Sequence, residues 1–147
     1  MRAVERAERW MFAPGDPRRL AAIRIGLCAV LAERLLRDVY VGLADQPAAL
    51  FRPLSFMNLL PAMPSRGVVV VAQTVGVAAA AIACMGLWAR GTLPLAFGCA
   101  LLLGGMLTSA GKVVHNDVVL LLAVVPLLAA PVSDAWSLDA LRSKKSA

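Results

Sequence analysis

The sequence predicts an all-α, polytopic membrane protein, a bundle of about four transmembrane helices, and three observations carry that reading. Sixty per cent of the 147 residues are hydrophobic and 16% charged, with a mean hydropathy of +0.75. An ordinary soluble domain is about a quarter charged and nearer half apolar. Two stretches, 68–87 and 93–110, contain no charged residue, and at about 1.5 Å per residue each approaches the roughly 30 Å of a hydrocarbon core. The third observation is that the basic residues behind the +6 net charge flank the apolar stretches. Anionic lipid headgroups are the natural partner there, and nucleic acid is not.

Residues 1–19 read as a basic cytoplasmic arm, lacking the apolar core of a signal peptide. The first span, 20–43, is the least apolar, because it carries Arg24, Glu33, Arg34, Arg37 and Asp38. A charge at mid-bilayer depth costs several kcal/mol unless it is paired or turned inward. Glu33 with Arg37, and Arg34 with Asp38, are each four apart. Each pair therefore shares a helix face and can neutralise itself. The alternative is that the helix leaves the membrane near Glu33, and under either reading Arg24 can snorkel to the near headgroups.

A proline-rich, apolar loop over 47–64 follows, with Phe51, Phe56, Met57, Leu59 and Leu60. Proline breaks it too often for it to span, so it lies on the bilayer surface or plugs the bundle mouth. The second span, 68–88, ends at the interfacial Trp88, and a tight turn over 89–92 leads into the third, 93–110. Gly104 and Gly105, with Ala100 and Ala110 nearby, offer a small-residue face for close helix packing. The fourth span, 113–132, carries His115, Asn116 and Asp117 in its first turns and is bent at Pro126.

The interfacial and basic tail, 133–147, places Trp136 at the headgroups, Ser137 as an N-cap and Asp139 as a solvated or capping carboxylate. Lysine and arginine number nine on the side of the arm, the Arg90 turn and the tail, against four (Arg37, Arg52, Arg66, Lys112) on the other. That imbalance puts both termini in the cytoplasm of a multi-pass cell-membrane protein.

Cys28, Cys84 and Cys99 are widely spaced and sit within apolar runs, which suits free thiols. With a single histidine and no Cys/His cluster, no metal site is expected. The polar residues with chemical potential are Lys112, His115 and Asn116. A lysine at a low-dielectric boundary can act as a base, with histidine relaying its proton and asparagine orienting either group. The structural alternative is a helix cap at Asn116, a favourable dipole position for Asp117 and phosphate anchoring by Lys112.

Several short motifs then line up. They are Arg24 in the first span, Leu50-Phe51-Arg52-Pro53-Leu54, Gly86-Leu87-Trp88-Ala89-Arg90, Lys112-Val-Val-His115-Asn116-Asp117, and Ala130-Pro131 leading into Trp136-Ser137-Leu138-Asp139. In this order they resemble the HTTM family, the transmembrane module of vitamin K-dependent gamma-carboxylases, and more loosely the DoxX-like four-helix membrane proteins. The resemblance implies that Lys112 takes the place of the base acting on reduced vitamin K, with His115 and Asn116 beside it. The further helices and globular domain of the carboxylases have no counterpart in these 147 residues. The expectation is therefore a small membrane module, either an accessory subunit of a membrane complex or a quinone- or lipid-binding protein. Its partners are the bilayer and other membrane subunits or a second copy. The alternative is a quinol-dependent membrane oxidoreductase or carboxylase-like enzyme with Lys112 as base.

Overall fold

The computed structural model describes residues 16–47, 50–60, 62–111, 115–130, 136–139 and 141. Among them the chain is all-helical. Helix α1 runs over Pro17–Leu35, α2 over Val39–Ala44, α3 over Arg66–Met85, α4 over Ala89–Ser109 and α5 over His115–Ala129, with a 3-10 helix at Ser55–Leu59 between α2 and α3. Helix α3 lies at the centre, packed along α1 on one side and α4 on the other, and α5 docks against α4 and α1.

The local sequence explains the boundaries. Asp16 caps α1 by accepting a hydrogen bond from the Arg18 N–H at 2.9 Å, and Pro17 takes the first helical position, where a missing N–H costs nothing. Helix α1 stops at Leu35. Gln73 of α3 explains how the break is tolerated, because its Nε2 donates to the carbonyls of Leu35 (2.8 Å) and Arg37 (3.0 Å). The expected continuous span over 20–43 is thus two helices, the break falling just beyond Glu33 and Arg34. Helix α3 ends at Gly86, whose φ of +69° forms the left-handed C-cap. The reversal into α4 occurs over 86–88, and 89–92 already forms the first turn of α4 instead of the expected loop.

Among the described residues, helices α3 and α4 are the two long and apolar enough to cross a membrane, and only 33% of each apolar window is buried within the protein. Their shared face is lined with small residues, among them Gly76, Ala79, Ala80 and Ala83 against Ala96 and Ala100. A Cβ on Gly76 would meet Cys99 Cβ at 2.8 Å, so the closest approach lies here. The expected packing face at Gly104 and Gly105 does something else. A Cβ on Gly105 would strike Phe56 Cζ at 2.6 Å and Met57 Sδ at 2.8 Å, so this glycine receives the 3-10 segment. Met57 is fully buried, and Ser109 secures the loop by accepting from the N–H groups of Arg52 (3.0 Å, carbonyl) and Leu54 (3.3 Å, hydroxyl). Through Met57 the segment plugs the space beside Gly105, while Leu50, Leu54 and Leu59 stay exposed.

Helix α5 carries the fourth apolar stretch, its 15 described residues over His115–Ala129 extending about 22 Å; positions 113, 114, 131 and 132 of the expected span lie outside the described residues.

Candidate functional site

At the end of the bundle where α1 and α4 finish and α5 begins, a groove of about 260 Å³ runs between α4 and α5. Its walls are apolar: Phe97, Leu101 and Gly104 from α4, and Val118, Leu121 and Val125 from α5, with Phe56 of the plug at one end. Gly104 widens the groove because it has no side chain, and nothing lies within 4 Å of where its Cβ would be. Among the described residues, Asp117 is the one charged residue lining it.

Asp117 comes from the first turn of α5, where a carboxylate meets the positive end of the helix dipole. Its Oδ1 lies 3.5 Å from Arg34 Nη1, and the two side chains are only 20% and 22% exposed. At that distance the contact is an ion pair without a hydrogen bond, and the buried Oδ1 accepts none among the described residues. A second, small cavity of about 20 Å³ adjoins on the other side, lined by Arg34, Tyr40 and Asp117, and it shares Gly104 and Leu121 with the groove. Tyr40 lies on α2, beyond the end of α1. Its phenol is buried, with 4% of the residue exposed. The apolar slot thus reaches the Asp117 carboxylate, and Arg34 and Tyr40 line the small cavity that shares this carboxylate.

Four of the expected pairing residues lie at this end. Arg37 Nη2 and Glu33 Oε1 are 3.0 Å apart, an exposed pair. The expected Arg34–Asp38 pair does not form. The helix ends between the two residues, so the four-residue spacing no longer places them on one face, and Arg34 turns to Asp117 and, at 3.7 Å, to Glu33 Oε2. Asp38 is exposed at the start of α2. Lys112 lies outside the described residues, as do the side chains of His115 and Asn116, whose backbones open α5.

Arg24 is at the opposite end and does not snorkel. It is fully buried, and its Nη2 donates to the Trp136 carbonyl at 2.7 Å. The Asp139 N–H reaches the Gly86 carbonyl at 3.4 Å, and Ser137 packs against Gly86 so closely that a Cβ there would lie 2.4 Å from Ser137 Cβ. Trp88 and Trp136, both largely exposed, occupy left-handed backbone at φ +48° and +45°, a conformation costing roughly 1–2 kcal/mol for residues other than glycine. Cys28, Cys84 and Cys99 are free thiols, and among the described residues no group of His, Cys, Asp and Glu could hold a metal ion.

Sequence reasoning gave Asp117 only a dipole role, missed Tyr40 and passed over Gln73. A polar amide within an otherwise apolar span was the available signal for Gln73. Comparison with protein-family models, curated proteins and solved structures finds no match to this chain.

Proposed function

We propose that this protein is a small multi-pass membrane module that holds one long apolar molecule with a polar head, a prenyl quinone or a lipid, in the groove between α4 and α5. The observation that carries the reading is the groove itself, an apolar slot that reaches the Asp117 carboxylate, whose Oδ1 accepts no hydrogen bond among the described residues. The carboxylate can accept from a head hydroxyl, while Arg34 behind it supplies the counter-charge. At about 260 Å³ the slot takes part of a chain, and the remainder would lie along the exposed Val118, Val119 and Leu122 of α5.

The membrane setting is supported by where the apolar surface lies. Val70, Val71 and Val75 of α3, Leu95 of α4 and Val125 of α5 are all exposed, and a row of large aliphatic side chains facing outward is stable in lipid and costly in water. With α1 and α5 as two further crossings, four in all, and the arginine excess at the start of α1, both termini fall on the cytoplasmic side. The HTTM-like and DoxX-like order of motifs agrees with this architecture, and an accessory role in a larger membrane complex is compatible with it.

The test is native mass spectrometry of protein extracted gently from its own membranes, beside the variant Leu121→Trp, which fills the slot. A stoichiometric quinone or lipid on the native chain, absent from the variant, is the expected result. Identical spectra for the two would refute the ligand reading, and a protein complex without a small molecule would leave the accessory-subunit role. Catalysis with Lys112 as base becomes the question only if the bound molecule is a quinol.

A further inference from the structure

The end of the bundle remote from the groove has a composition of its own. Trp88 is 72% exposed and Trp136 61%, and Leu141 also projects outward. Around them stand three exposed arginines, Arg18 and Arg19 at the start of α1 and Arg90 at the start of α4. Helix ends, turn and tail converge here because Arg24 and Gly86 gather them, the first through its bond to the Trp136 carbonyl and the second through its contacts with Ser137 and Asp139. A bulky residue adopts left-handed backbone only where surrounding contacts impose it. Here two tryptophans do so at one end, and both side chains are sent outward instead of into the core.

We infer that this end is a docking face for an anionic phospholipid surface, in which Trp88 and Trp136 seat at headgroup depth, Arg18, Arg19 and Arg90 pair with lipid phosphates, and Arg24 positions Trp136. Charge complementarity selects the occupant: an amphipathic ring favours the interface, and a rim of arginines favours acidic headgroups over zwitterionic ones. Arg24 begins about 10 Å along α1 from Pro17, so it fixes the tail one layer below the arginine rim. The inference rests on the membrane reading and extends it to a leaflet of defined charge.

Tryptophan quenching tests it. The chain contains three tryptophans, and Trp10→Phe leaves the two of interest. Reconstituted in vesicles, both should be quenched more by lipids brominated near the headgroup than by lipids brominated deep in the chain. Brominated phosphatidylglycerol should quench more than brominated phosphatidylcholine at equal mole fraction, and that excess should vanish in the surface variant Arg18→Gln/Arg19→Gln/Arg90→Gln. Arg24→Gln should expose Trp136 to aqueous iodide while Trp88 keeps its shallow quenching, and Arg24→Lys should restore part of the protection. Loss of the native protein from alkali-washed vesicles would overturn the membrane reading and this face with it. Retention with only deep quenching, or with equal quenching by the two lipids, would overturn the docking face alone.

Discussion

The Arg34–Asp117 contact ties α1 to α5 beside the groove, and its strength can be measured by a double-mutant cycle. Two unit charges 3.5 Å apart attract by about 5 kcal/mol at an effective dielectric of about 20. That figure is gross. Each side chain is about one-fifth exposed, and Glu33 Oε2 stands 3.7 Å from the same guanidinium, so Arg34 keeps a counter-charge when Asp117 is lost. Discounting for both, Asp117→Asn should cost about 1–2 kcal/mol, well short of the 3–5 kcal/mol seen when a fully buried pair is broken. Arg34→Met should cost more than Asp117→Asn, because it strands a carboxylate oxygen that accepts no hydrogen bond. The double variant should recover most of the loss, giving a coupling of about 1 kcal/mol or more. Thermal unfolding in detergent, followed by circular dichroism, reads all four corners. Additive single losses would refute the pair as an energetic link and leave the groove without its charged end.

Three further predictions follow from close approaches. Gly76→Ala places a methyl 2.8 Å from Cys99 Cβ, an atom that cannot swing away, so α3 and α4 must part at a cost of about 1–3 kcal/mol; adding Cys99→Gly should return part of it in the same melts. Gly105→Val should displace Phe56 and Met57 and free the plug, read as faster chymotryptic cleavage after Phe56 with a stability loss of about 1–3 kcal/mol. Gln73→Leu removes both hydrogen bonds to the Leu35 and Arg37 carbonyls and should lower stability by about 1–3 kcal/mol, with amide exchange fastest at the end of α1.

The helices were legible where composition alone decides them. The charge-free runs over 68–87 and 93–110 became α3 and α4 within three or four residues at each end. The first span was legible in position and illegible in continuity, because the break depends on Gln73, a residue 38 positions from the carbonyl it caps. The Arg34–Asp38 expectation failed for the same reason. Helical spacing was applied across a break that only a distant amide makes tolerable. At the groove, Asp117 could be read as a helix-end acid, but its partner is 83 positions away in sequence, and no local pattern announces it. Gly104 and Gly105 were recognised as a place of close approach, while the approaching element, a proline-broken loop, was not.

One consequence concerns how this chain tolerates change. In α3 the positions facing inward are Val69, Gly76, Ala79, Ala80 and Ala83, and the large valines at 70, 71 and 75 look out. On this face small residues outnumber large ones, and at Gly76 even one added carbon meets Cys99 Cβ at 2.8 Å, so sensitivity should be greatest where side chains are smallest. A saturation scan along this helix would show a narrow stripe that rejects every added methyl, beside a broad face that exchanges freely among valine, leucine, isoleucine and phenylalanine.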